Sequence, residues 1–218
     1  MVSVLYQDNH LLALEKPGGL LTQPSGTDLD SLEARGKAWI KEEFHKPGAV
    51  FLEAVHRIDR VACGVVLFAR TSKALSRLNA SIRAGECRKT YHALVEHRPE
   101  ANAGNLRNWL VHDDHCARVC KEQEPEAKLA ELSYRLLPGK REDGLFLLEI
   151  ELHTGRYHQI RAQLGAAGMP IAGDGLYGAR KSYRPGAIAL QHYCLEIVHP
   201  VTHEALRIVA REELAISN

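Results

Sequence analysis

Residues 56–97, HRIDRVACGVVLFARTSKALSRLNASIRAGECRKTYHALVEH, decide the fold class. GVVLFAR (64–70) is a short β-branched apolar run, the composition of a buried strand. Thr71-Ser72 ends it, and Leu75, Leu78 and Ile82 then recur at i, i+3 and i+7 until Gly85, which reads as a capped helix with a glycine stop. Lys73 and Arg77 lie four apart on that helix, off its apolar stripe. Tyr91–Val95 then resumes as a strand.

Toward the N-terminus, VSVLYQD and HLLALEKP read as a hairpin, so the fold is expected to begin at residue 2, and EKPGGLL turns the chain at Pro17-Gly18-Gly19. Leu29, Leu32, Ile40 and Phe44 predict a helix over 28–45, capped by Thr27 or Asp28 and stopped by Lys46-Pro47-Gly48. Toward the C-terminus, Leu106–Val111, Ala130–Leu137 and Leu145–Leu152 read as strands. Thr154-Gly155 can cap a helix carrying Tyr157, Ile160, Leu164 and Ala167, ended by Gly168 and Pro170. IALQHYCLEIVHP and EALRIVA return to strands, and no repeat, heptad or long linker interrupts the order. The expected class is α+β: a mixed, mostly antiparallel sheet with flanking helices, forming a single domain over residues 1–218.

With 45% hydrophobic and 25% charged residues, 9 Pro and 17 Gly, the composition excludes collagen-like, low-complexity and disordered chains. Five cysteines, an odd and scattered set, do not make a disulfide scaffold, and MVSVLYQDNHLLALE is neither a secretory apolar core nor a membrane span. The expectation is a reduced cytoplasmic protein, monomeric and without a membrane partner. The net charge of +1 hides an uneven distribution. Residues 56–98 carry nine cations against three anions, and residues 153–184 five against one, which leaves −9 on the remainder. If the two basic blocks meet, one face suits a polyanion; solvated surface cations are the plainer alternative.

Four segments could carry chemistry. In His56-Arg57-Ile58-Asp59-Arg60 a carboxylate between two arginines is stabilised as the anion, fit for a nucleophile or base, or for half of a structural ion pair. Thr154-Gly155-Arg156-Tyr157-His158-Gln159-Ile160-Arg161 loads a helix start with Arg, His and Gln, which makes an anion site or a source of ion pairs. Arg88-Lys89-Thr90-Tyr91 sets a strand-initial phenol beside two cations, where it could stack on a base, move a proton or simply pack half-buried on a sheet. Gly173-Asp174-Gly175-Leu176-Tyr177-Gly178 reads as a tight loop, because no Walker Lys-Ser/Thr follows to make it a phosphate cradle. His112, His115, Cys116 and Cys120 cluster, but H-x-x-H-C-x-x-x-C is not a standard zinc spacing, so no metal is expected.

In order along the chain, EKPGGLL, HRIDR with CG after it, RKTY, TGRYHQIR, GDGLYG and the late HY and HP resemble the RluA-type family of RNA pseudouridine synthases. The resemblance implies that family's catalytic fold and activity: isomerisation of uridines in structured rRNA or tRNA by base flipping and an Asp-dependent C-glycoside rearrangement, without a cofactor. It implies Asp59 as the catalytic aspartate, Tyr91 as the ring that stacks on the base and accepts a proton, and Arg161 as the ion-pair partner of Asp59. It makes Arg57 the residue inserted where the flipped nucleotide was, with Arg156, His158 and Gln159 shaping the pocket together with Gly155. Arg60, Lys73, Arg77, Arg88 and Lys89 complete the expected RNA-binding set. Three routes stay open for Asp59: addition to the sugar, addition to the base, or removal of a ribose proton. The chain departs from the family pattern at Ile58, at Ala62-Cys63 and at Tyr157, which stands where Thr or Ser is common. Many relatives carry a small N-terminal RNA-binding domain; here the hairpin starts at once, so recognition is expected to rest on the catalytic domain. The rival reading is a non-catalytic RNA-binding module using the basic cleft, and a binder gains nothing from a carboxylate there.

Overall fold

β2 (Leu11–Lys16) is buried at every position, and the computed structural model, which describes residues 2–26, 28–139 and 143–214, shows why. β2 lies between β1 (Ser3–Gln7) and β4 (Cys63–Ala69), antiparallel to both, so both its edges are paired. Its two faces are covered by different helices. Leu11 and Ala13 join Val65, Leu67 and Ala69 in a cluster with Ala74 and Leu78 of α2 (Ser72–Arg83). On the other face, Gly36 of α1 (Leu32–Glu43) comes so close that an added Cβ would lie 3.0 Å from Leu14 and 2.8 Å from Leu52. A strand covered on both faces reads as a continuous apolar run rather than as alternation.

The chain divides into two units, residues 1–88 with 192–213 and residues 89–191 with 214–218. In the first, the strand order is β1–β2–β4–β10, with β10 running Leu190–Val198, β11 (Ala205–Val209) antiparallel on β10 and the two-residue β3 (Glu53–Ala54) on β4. Thr71 caps α2, its hydroxyl accepting from the Ala74 N–H at 3.2 Å, as expected. Gly64, with φ +110°, opens β4 where a Cβ would lie 2.3 Å from the His192 carbonyl oxygen, so no other residue fits there.

α1 starts later than expected. Its cap is Ser31, which accepts from the Ala34 N–H at 3.2 Å, because Asp28 is held in a turn by reciprocal backbone bonds to Ser25. Thr27, the other expected cap, lies outside the described residues.

The second unit is an antiparallel sheet in the order β5 (Arg88–Val95), β9 (Phe146–Leu152), β8 (Lys128–Leu136), β6 (Ala103–Asp113) and β7 (Cys116–Cys120). β7 was not expected from the sequence. Its alternation is weak, with only Ala117 buried, and it pairs as a hairpin with the end of β6. Cys116 and Cys120 occupy the two ends of this strand, roughly 13 Å apart at the usual rise, too far to share one ion. α3 (Gln159–Ala166) packs Ala162 against Leu110, Ala117 and Ala130. It too starts later than the sequence suggests: the residue before its first turn is His158, while Thr154 instead bonds the Glu131 N–H and the Gln159 side chain. The pairing is mostly antiparallel and the class α+β, as the sequence indicated.

Candidate active site

Asp59 sits in a loop of the first unit whose two neighbouring carbonyls are both held. The Thr22 hydroxyl donates to the Ile58 carbonyl at 3.2 Å, while the Gly19 N–H and Lys16 Nζ donate to the Arg60 carbonyl at 2.8 and 2.9 Å. Arg60 returns the contact through Nε to the Gly19 carbonyl at 2.9 Å. The turn that EKPGGLL makes, with Thr22 directly after it, is therefore stitched to HRIDR on both sides of the aspartate. Lys16 is 0% exposed and spends its ammonium on the Leu20, Arg60 and Pro17 carbonyls. Burial lowers its pKa to about 8, against the smaller opposing pull of Cys63 and Asp59. Arg57 and Arg60 are exposed, and Asp59 is half-buried between them.

On α2, Lys73 and Arg77 are exposed as the helical spacing required. Arg77 also donates to the Pro200 carbonyl at 2.7 Å, so it carries structure as well as charge. Arg88 is exposed, 4.0 Å from Glu196.

In the second unit, Tyr91 is 7% exposed on β5, paired in register with Ile150. Lys89 lies two residues earlier, on the same face of that strand. Arg161 is only 6% exposed and held on both edges of its guanidinium. Its Nε and Nη2 donate to the two carboxylate oxygens of Asp174 at 2.7 and 2.8 Å, and its Nη1 lies 2.8 Å from His158 Nε2. The guanidinium also stands 5.0 Å from the centre of the Tyr177 ring, within cation–π range. A bidentate fork of this kind fixes both distance and plane.

The 154–158 segment is organised from inside. Gln159, 3% exposed, accepts from the Thr154 hydroxyl and the Arg156 N–H and donates to the Glu131 carbonyl. Its place is to shape the loop. Arg156 is exposed, with Nε donating to the Leu129 carbonyl at 3.0 Å. Tyr157 is exposed and its ring stacks on His158 at 3.9 Å.

Lys16, Asp174 and Tyr177 are residues of this machinery that the sequence reading did not single out. Two of them left a trace: Lys16 follows Glu15 just after the apolar run Leu11–Leu14, and Asp174 is the sole carboxylate in the basic block 153–184, while Tyr177 stood in GDGLYG, which read only as a tight loop. A charged residue at the end of an apolar run, or one acid among five bases, points to a buried partner.

Residues 10–166 match the RNA pseudouridylate synthase family model. The chain is 29% identical over 209 residues to the Bacillus subtilis (strain 168) protein named "Uncharacterized RNA pseudouridine synthase YhcT", covering 94% of this chain and 67% of that one. It is 33% identical over 220 residues to "Ribosomal large subunit pseudouridine synthase C" of Escherichia coli (strain K12), covering 95% and 65%. It thus spans about two thirds of the length of these curated relatives. Among solved structures, "Human RNA Pseudouridylate Synthase Domain Containing 4" shares the fold, with a TM-score of 0.79 at 22% identity over 97% of this chain and 88% of that one. "Human RNA Pseudouridylate Synthase Domain Containing 1" does so with a TM-score of 0.78 at 18% identity over 97% and 84%. Among the described residues, no helix is long and apolar enough to cross a membrane. The family match takes in the loop of Asp59, the strand of Tyr91 and the caged Arg161: the chain belongs to the RNA pseudouridylate synthase family.

Proposed function

We propose that this protein is an RNA pseudouridine synthase, an isomerase that converts specific uridines of structured RNA to pseudouridine. The observation that carries the reading is the family match over residues 10–166, which contains Asp59, Tyr91 and Arg161 together. The relative named for the large ribosomal subunit favours ribosomal RNA as the substrate class, with tRNA as the second candidate.

The chemistry breaks the bond from ribose to the uracil nitrogen, turns the base and rejoins it through carbon 5, where one proton is exchanged. No other atom enters or leaves, so neither redox nor phosphoryl chemistry is called for. The reaction needs an anion that persists at neutral pH, a counter-charge, a stacking ring and a base drawn out of its helix. Asp59 is the anion, Arg161 its counter-charge, Tyr91 the ring that stacks and accepts the proton, and Arg57 the side chain that fills the space left by the base. The fork to Asp174 supports the role given to Arg161, because a guanidinium fixed in place costs no reorganisation when charge develops. Exposed Arg60, Lys73, Arg77, Arg88 and Arg156, with Lys89, engage phosphates, while His158 and Gln159 shape the loop. We read residues 1–218 as a single catalytic domain that acts as a monomer in the cytoplasm.

Release of tritium from RNA labelled at uridine carbon 5 tests the reading. Wild type is expected to release label from ribosomal RNA, and Asp59→Asn to release none while binding RNA within a few fold of wild type. Turnover by Asp59→Asn would refute the assignment, and binding without release by either protein would favour the non-catalytic module.

A further inference from the structure

The geometry around Arg161 dictates the protonation state of one neighbouring ring. A guanidinium can only donate, so His158 Nε2, 2.8 Å from Arg161 Nη1, must carry a lone pair. The ring proton is then on Nδ1, which faces Tyr177 Oη at 3.0 Å. That oxygen also accepts the Ala117 N–H at 2.8 Å. Burial, the largest influence on it, pushes the Tyr177 pKa up to about 12, so the acceptor is a neutral phenol. The opposite tautomer would set Nε2–H against Nη1–H, and an imidazolium would add a second positive charge beside a buried guanidinium.

The rest of the surroundings hold the ring in this position. His158 has φ 50° and ψ 23°, a left-handed conformation that side chains other than glycine seldom adopt, immediately before the first turn of α3. Tyr157 stacks on the imidazole at 3.9 Å and 16°. The outer ring of the stack is His112 of β6, 4.3 Å from Tyr157, and the Tyr157 hydroxyl donates to the His115 carbonyl at 3.4 Å. Two tyrosines, Tyr157 and Tyr177, therefore tie the imidazole to the β6–β7 hairpin. Titratable and charged groups that face His158 include Arg161 of α3, Tyr177 of the 175–177 turn and Tyr157 beside it. Asp174, His112 and Cys116 lie one contact further out.

We propose that His158 is a positioning residue for Arg161, a neutral Nδ1–H imidazole whose Nε2 fixes the Nη1 edge of the guanidinium while Asp174 fixes the Nε–Nη2 edge. Asp174 holds two corners of the guanidinium, and His158 holds the Nη1 corner that the carboxylate does not reach. Earlier, His158 was expected to contact RNA or shape the pocket; here it acts through Arg161. The proposal rests on the reading of Arg161 as the counter-charge of Asp59.

Two measurements on the full chain test it. With histidine rings labelled by nitrogen-15, and with His158→Gln used to assign the resonances, His158 is expected as the neutral Nδ1–H tautomer at pH 7. An Nε2–H ring or an imidazolium there overturns the proposal. In single turnover on 5-tritiated RNA, His158→Ala is expected to lose up to about a hundredfold in rate, the usual cost of a misplaced group, at unchanged RNA affinity. His158→Gln, whose amide oxygen can reach the position of Nε2, should recover to within a few fold of wild type. It should also lack the part of the acid-side fall in rate that follows protonation of the ring. Weakened RNA binding with an unchanged rate in His158→Ala would make the ring an RNA contact and overturn the proposal. A wild type that releases no tritium would count against the assigned function instead, and the ring spectrum would then decide the tautomer by itself.

Discussion

Replacing Asp174 with Asn tests whether the fork under Arg161 is as strong as its burial implies. Asp174 is 2% exposed and Arg161 6%, and both carboxylate oxygens are engaged, at 2.7 and 2.8 Å. Asn keeps the volume, so no cavity opens. It removes the charge and turns one acceptor into a donor aimed at Arg161. Breaking one side of a buried pair costs about 3–5 kcal/mol, since the remaining charge stays buried without compensation. For a chain of this size each kcal/mol moves the melting temperature by roughly 2–4 °C, so Asp174→Asn should melt about 6–20 °C below wild type. The assay is thermal melting followed by circular dichroism, at low and at high salt. Because the pair is dry, added salt should leave the difference in place. Asp30→Asn, which breaks the exposed Arg35–Asp30 pair, serves as the control and should change little. A melting shift for Asp174→Asn within about 2 °C would mean a pair worth no more than a surface one, and the reasoning from burial would be wrong.

Lys16 supplies a pH test. Its folded pKa, about 8, lies below the ordinary lysine value of 10.5, so between those two values the unfolded chain binds the extra proton and stability rises with pH. Denaturant midpoints measured from pH 7.5 to 10.5 should show that rise in wild type; in Lys16→Met it should vanish, against a lower baseline from three carbonyls left without their donor. For RNA binding, Lys73→Ala should weaken association and reduce the slope of log affinity on log salt by about 0.7–0.9, one phosphate contact. Arg77→Ala should also cost fold stability through its bond to the Pro200 carbonyl, and an unchanged salt slope in both variants would place the RNA elsewhere.

Much of the fold was legible because local rules and tertiary packing agree. The apolar run of β4, the Thr71 cap and the stripe of α2 all point to one structure, and both the strand and the helix are found where they were expected. Expectations failed where a polar residue had two possible uses. Asp28 and Thr154 are both good caps by composition, yet one is held in a turn and the other bonds across to Glu131, so α1 and α3 begin later. β7 escaped because a short hairpin strand with one buried residue leaves almost no periodicity to read.

The sequence alone determined the class, the order of most elements and the residue types able to do chemistry: an aspartate between arginines, a tyrosine that lies three residues inside β5 rather than at its start, and an arginine at a helix start. Each is a property of neighbours along the chain. Tertiary structure alone decided which partners hold them. Lys16 reaches the Arg60 carbonyl across 44 residues, Asp174 reaches Arg161 across 13, and Tyr177 receives an N–H from Ala117 across 60. Composition indicates that a buried charge needs a partner. Only the packed chain, by removing water from these groups, makes one particular partner obligatory and so fixes the geometry in which the arginine can work.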